Sequence, residues 1–129
     1  FTALAPHCTF DVSLPIAAMD GYVTDLTAAA RARWGADTQV VVFGHLGDGN
    51  LHILVAPRPW SADVPHAVET LVYEPLRALN GSISAEHGIG LEKRGWLDVS
   101  RTPAEIALMR TLKAALDPLD LLNPGKVLG

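Results

Sequence analysis

Apolar positions recur along this chain in two rhythms. Residues 7–13 (HCTFDVS) mix aromatic, β-branched and polar types and predict a strand. Behind Pro15, the residues Ile16, Met19, Val23, Leu26 and Ala30 recur at three- and four-residue spacing, one stripe of a helix that Gly35 is placed to end. The runs 39–43 (QVVVF) and 51–56 (LHILVA) predict strands. Pro65 opens a second helix with its stripe at Val68, Leu71, Val72 and Leu79 and its stop at Asn80-Gly81. Residues 82–85 (SISA) predict a short strand, and residues 91–97 a brief helix. Thr102 and Glu105 have capping-box spacing around Pro103, and the helix they open carries Ile106, Met109, Leu112 and Leu116. The order β-α-β-β-α-β plus further helix predicts an α+β fold, a ferredoxin-like split βαβ: an antiparallel sheet with helices on one face and C-terminal helices beyond.

The stretch between the second and third predicted strands breaks the pattern. Residues 44–52 read GHLGDGNLH, with histidines where valines would make a better core. Asp48-Gly49 is a two-residue hairpin signal. Centring the turn there sets Gly47 opposite Asn50, Leu46 opposite Leu51 and His45 opposite His52. Opposed residues share a face with Cβ atoms about 4.5–5.5 Å apart, close enough for two imidazoles to share one divalent cation. Phe43 and Leu54 continue that face, and Val42, Ile53 and Val55 fill the other. A plain alternative is a pair of hydrogen-bonded strand histidines, and Asp48 and Asn50 have ordinary turn chemistry. A third ligand is available in residues 84–90 (SAEHGIG), where adjacent Glu86 and His87 leave an extended backbone in opposite directions. Two His and one carboxylate leave open positions on a divalent ion, as catalytic sites do. His7 and His66 read as structural or exposed. Glu92, Lys93 and Arg94 read as a solvated helix face, and residues 123–126 as a terminal turn.

Composition narrows the setting. The 129 residues fit one domain, are 49% hydrophobic and 19% charged, and carry a net charge of −4 with the basic residues scattered. That excludes an extended nucleic-acid surface. No apolar run has membrane-spanning length, so no membrane span is expected. A single cysteine, Cys8, suits a reducing compartment, and a cytoplasmic location is expected. The chain begins at Phe1 and shows no signal peptide, as expected of a fragment.

Three motifs in order, GHLGDGNLH (44–52), SISAEHGIGLEKRGWL (82–97) and LDPLDLLNPGKVLG (116–129), resemble the C-terminal part of FAD-linked oxidases. These flavoproteins belong to the vanillyl-alcohol-oxidase superfamily. They include cytochrome-linked D-lactate dehydrogenases, the glycolate oxidase flavin subunit and D-2-hydroxyglutarate dehydrogenase. The resemblance implies that residues 1–129 are a C-terminal cap or substrate domain fragment, lacking the FAD-binding domain of the same polypeptide and inactive alone. It implies a divalent metal, usually zinc, on His45, His52 and Glu86. His87 would be the base or hold the substrate hydroxyl, and Asn123 and Lys126 would lie near FAD. The implied reaction is oxidation of a small 2-hydroxy acid of the D-lactate or glycolate type, with hydride transfer to flavin. The hydroxyglutarate enzymes are expected to carry Asn two residues after the second histidine. Leu54 stands there, which favours a monocarboxylate or more hydrophobic acid. A homo-oligomer is expected from the apolar face such a fragment exposes. Two other readings stay open: a stand-alone ferredoxin-like metal- or anion-binding module without catalysis, and a structural role for the histidines in an oligomer interface.

Overall fold

The computed structural model describes residues 4–128. Three antiparallel strands, β1 (Cys8–Ser13), β2 (Gln39–Phe43) and β3 (Asn50–Ala56), form a sheet in the order β1-β3-β2. Helix α1 (Met19–Trp34) connects β1 to β2, and α2 (Val64–Ala78) follows β3. After them come a short α3 (Leu97–Ser100) and α4 (Pro103–Leu116). This is the expected α+β class, in the expected order as far as α2. Among the described residues no helix is long and apolar enough to cross a membrane.

Alternation divides the sheet into two faces. Phe10, Val12, Leu51, Ile53 and Val55 point into the helix layer. There they meet Met19, Tyr22, Leu26 and Ala30 of α1 and Val68, Val72, Tyr73 and Leu76 of α2. Of the expected stripes, Met19, Leu26, Ala30, Val68 and Val72 are buried, Val23, Leu71 and Leu79 are half-buried and Ile16 is exposed, while Tyr22, Tyr73 and Leu76 join the core. The other face carries Thr9, Asp11, Phe43, His52 and Leu54, paired as Thr9–Leu54, Asp11–His52 and Phe43–His52.

Three expectations are corrected. His52 pairs with Phe43, so the connection is not a two-residue turn at Asp48-Gly49. Residues 44–49 form a wider loop containing a 3-10 turn at Leu46–Asp48, whose amides bond back to His45 and Leu46 instead of to β3. The fourth strand shrinks to one antiparallel bridge, Ser13 to Ser82, and the next N–H groups leave the ladder: Ile83 donates to Ser100 Oγ at 2.9 Å, and Glu86 and His87 donate to the Asp11 carboxylate. Residues 91–97 carry a 3-10 turn only at Arg94–Trp96, leading directly into α3. Helix α4 has its capping box, with Thr102 and Glu105 bonded reciprocally. None of its residues is buried, and the Leu112 and Leu116 stripe faces away from the core.

Candidate functional site

The open face of the sheet carries a cleft of about 670 Å³, lined among others by Thr9, Phe43, His52, Leu54, His87 and Lys126. His52 is held by the ladder of β3, its side chain mostly buried. His45 comes from the loop. Its carbonyl accepts from the N–H of Asp48 at 2.9 Å and of Asn50 at 3.2 Å, which turns the chain so that the ring comes back over β3. The His45 and His52 rings meet edge to face with centroids 5.6 Å apart. His52 also stacks on His87 at 5.8 Å.

Glu86 closes the group from the segment after the Ser82 bridge. Its Oε1 accepts from His45 Nδ1 at 2.7 Å and lies 3.9 Å from His52 Nε2. One nitrogen from each of His45 and His52 and one oxygen from Glu86 all lie within 4.8 Å of one another. Two imidazole nitrogens and a carboxylate oxygen are the donor set of a borderline divalent cation such as zinc. The trio anticipated from the sequence is thus brought together, but not by cross-strand opposition.

Two residues given bland sequence readings belong to this site. Asn50 is 3% exposed, and its Nδ2 donates to Glu86 Oε1 and sits 3.3 Å from His45 Nδ1. Its Oδ1 is buried without a partner among the described residues. The amide holds the Glu86 oxygen between the two rings, a role that its position beside a glycine turn does not announce. Lys93 is no solvated side chain. Its ammonium donates to Ser84 Oγ at 3.1 Å and lies 3.6 Å from Asp11 Oδ2, and burial pushes its pKa down against the pull of Asp11. Glu92 and Arg94 are exposed as expected.

Asp11 was missed altogether. It reads as the polar position of an alternating strand, yet it has no solvent exposure. Burial pushes its carboxyl up, but the N–H groups of His87 and Glu86, the Ser84 hydroxyl and the Lys93 charge outweigh that and hold it at about 2. No signal within β1 could have revealed it, because its hydrogen-bond donors lie 73 to 76 residues away and Lys93 farther still.

His87 is exposed over the cleft, its Nδ1 3.8 Å from Asp11 Oδ2. Lys126 reaches the cleft because the tail folds back: Val127 N–H donates to Gly90 carbonyl at 2.9 Å and Arg94 to Gly125 carbonyl at 2.8 Å. Asn123 does not line the cleft; it sits in the turn that Lys126 N–H closes at 3.2 Å. His66 is exposed beside Glu69, and His7 is half-buried.

The chain is similar to curated proteins over nearly all its length. It is 48% identical over 132 residues to a D-2-hydroxyglutarate dehydrogenase of Xanthomonas citri pv. viticola, covering 97% of this chain and 28% of that protein. Against the mitochondrial D-2-hydroxyglutarate dehydrogenase of Bos taurus it is 46% identical, covering 92% of this chain and 21% of that protein. Against the D-2-hydroxyglutarate dehydrogenase of Stutzerimonas stutzeri it is 38% identical, covering 91% and 26%. It therefore spans about a quarter of the length of these relatives. The family model for FAD linked oxidases, C-terminal domain, matches residues 4–127, and the chain belongs to that family.

Proposed function

We propose that this chain is the C-terminal substrate-side part of an FAD-dependent, metal-assisted dehydrogenase that oxidises a D-2-hydroxy acid to the 2-oxo acid. The observation that carries the reading is the convergence of His45 and Glu86 on His52, which lines the same cleft as His87. In this reading those three hold a divalent cation, with zinc the first candidate. The flavin belongs to an FAD-binding domain of the same polypeptide, a proposal supported by the greater length of the relatives.

The bound ion supplies Lewis acidity toward the substrate hydroxyl, and the flavin supplies the hydride acceptor. The chain's own residues do the rest. His87, exposed at the cleft, takes the hydroxyl proton. The ring of His52 beneath it fixes where that imidazole lies. Lys126 is assigned to the flavin side of the cleft, with Asn123 shaping the turn that presents it.

Leu54 and Phe43 make the adjacent wall apolar. A second carboxylate pressed against that wall would lose its hydration without a partner, so the preferred substrate is a monocarboxylate of the D-lactate type or a more hydrophobic homologue. The names of the relatives favour a second reading, D-2-hydroxyglutarate itself. Flavin bleaching by the full-length protein across a series of D-2-hydroxy acids decides between them. Fastest reduction by a monocarboxylate supports the first, and fastest reduction by D-2-hydroxyglutarate moves the substrate to the dicarboxylate. Bleaching by no hydroxy acid refutes the dehydrogenase reading. His45→Ala and His52→Ala should each lose the metal and lower kcat/KM by at least about 100-fold, equivalent to about 3 kcal/mol. Parental metal content in both variants would end the metal reading.

A further inference from the structure

Asp11 is the most deeply buried carboxylate among the described residues. Taking a carboxylate out of water costs several kcal/mol unless hydrogen bonds replace the water. Here they do. The Glu86 N–H lies 3.1 Å from Oδ1 and 3.0 Å from Oδ2, the His87 N–H donates to Oδ2 at 2.8 Å, and Ser84 Oγ donates to Oδ2 at 3.0 Å. Lys93 balances the charge at 3.6 Å.

Two of these donors are consecutive backbone amides, and they belong to the third candidate metal ligand and the candidate base. Past the Ser82 bridge no strand pairing holds this segment. Pinning the N–H groups of residues 86 and 87 fixes the peptide planes on both sides of the Glu86 Cα. The direction in which the Glu86 side chain leaves the backbone is then set, and the peptide from which His87 starts is fixed. Asp11 also stands opposite His52 in the β1–β3 register, so one strand pair carries one candidate ligand and the anchor of another, Glu86. An amide in place of the carboxylate could not do the same. Its NH₂ group would face a backbone N–H, donor against donor.

On the metal-centre reading given above, we propose that Asp11 is the positioning residue of this site: its carboxylate grips the Glu86 and His87 amides, aims Glu86 at His45 and His52, and sends His87 across His52. Its role is to hold the donor set in place; it does not touch the ion or the substrate.

The test titrates Co²⁺ into the 129-residue chain and follows the visible bands of the bound ion. Asp11→Asn, checked as folded by circular dichroism, should bind about 10–100-fold more weakly, the usual loss when a residue orienting a metal ligand is changed. Its cobalt spectrum should shift as Glu86 leaves the ion, and Glu86→Gln should show a comparable shift. Tyr22→Phe, which loosens the helix layer far from the site, should keep parental affinity and so separates positioning from mere stability. A folded Asp11→Asn with parental affinity and spectrum overturns the positioning role and leaves the metal reading intact. A parental chain that takes up no Co²⁺ sinks both. If Asp11→Asn does not fold, amide hydrogen exchange in the unaltered chain decides: slow exchange at Glu86 and His87 against fast exchange at Gly88 supports the grip, and fast exchange at all three refutes it.

Discussion

At Gly44 the backbone takes φ +155°, and a Cβ built there would lie 2.3 Å from the Asn50 carbonyl oxygen. No side chain tolerates both the conformation and the contact. Gly44 is where β2 ends and the His45 loop begins, so whatever moves it moves His45. Gly44→Ala should destabilise the chain by about 2 kcal/mol or more and separate His45 from Glu86, abolishing metal uptake. Gly47, in the same loop, has open space at its Cβ position and no positive φ, so Gly47→Ala should leave both unchanged. Thermal unfolding and metal titration on the two variants check the contrast, and equal behaviour would refute it. The residue scale is also where legibility divides. His45, His52 and Glu86 announced themselves because histidine at a glycine turn and Glu-His at a strand end are odd choices for a core. Asp11, Asn50 and Lys93 did not, because a polar residue in a strand, turn or helix is ordinary until its distant partner is known.

Between elements, the expected stripes of α1 and α2 were legible because the period of 3.6 survives any error in tertiary placement. Register was not, because the Asp-Gly signal fixes a turn without fixing how many residues the turn consumes. The shift changed which residue faces His52, yet both histidines kept the site face, since the loop supplied by its own folding what the ladder was expected to supply. The helix layer has a polar joint that periodicity also hid. Tyr22 is 5% exposed, and its hydroxyl donates to the Val72 carbonyl at 2.8 Å, tying α1 to α2. Burial, with Tyr73 adding to it, pushes this phenol up, and Tyr73 is raised for the same chief reason. An unfolded tyrosine ionises at about pH 10 while the folded phenols stay neutral. The unfolded state therefore gains from ionisation first, and stability should be full below about pH 10 and fall steadily above it. Unfolding and phenolate absorbance should rise together in an alkaline titration. Tyr22→Phe should cost about 1 kcal/mol at neutral pH, the net worth of one buried hydrogen bond, and soften the alkaline transition. Phenolate appearing well before unfolding would contradict this account.

The whole molecule is not closed on itself. Helix α4 was predicted with the right cap and the right period, but its stripe finds no surface within the chain: Leu112 is 51% exposed and Leu116 81%. Leu119, Leu121 and Leu122, in the turn that follows, are exposed as well. This is an ordered surface. Beyond α4, Asp117 accepts from the N–H groups of Leu121 and Leu122 at 2.9 Å each, and Lys113 bonds Asp117 and pairs with Asp120 at 3.0 Å. The Lys113 ammonium and those two amides hold the Asp117 carboxyl down at about 2, so the turn stays built across the neutral range. Fully covering one such leucine is worth about 1.5–3 kcal/mol, enough for several together to drive association. On the reading proposed above, the FAD-binding domain provides that cover. Given only the 129-residue chain, the nearest apolar surface is a second copy. Sedimentation should then show concentration-dependent self-association that Leu112→Glu with Leu116→Glu abolishes without altering the fold. On the proposed reading, metal uptake should persist in the double variant, because none of the candidate ligands lies on α4. A parental chain that stays monomeric at high concentration would mean that this face needs no cover, and the argument for a missing domain over α4 would fall with it.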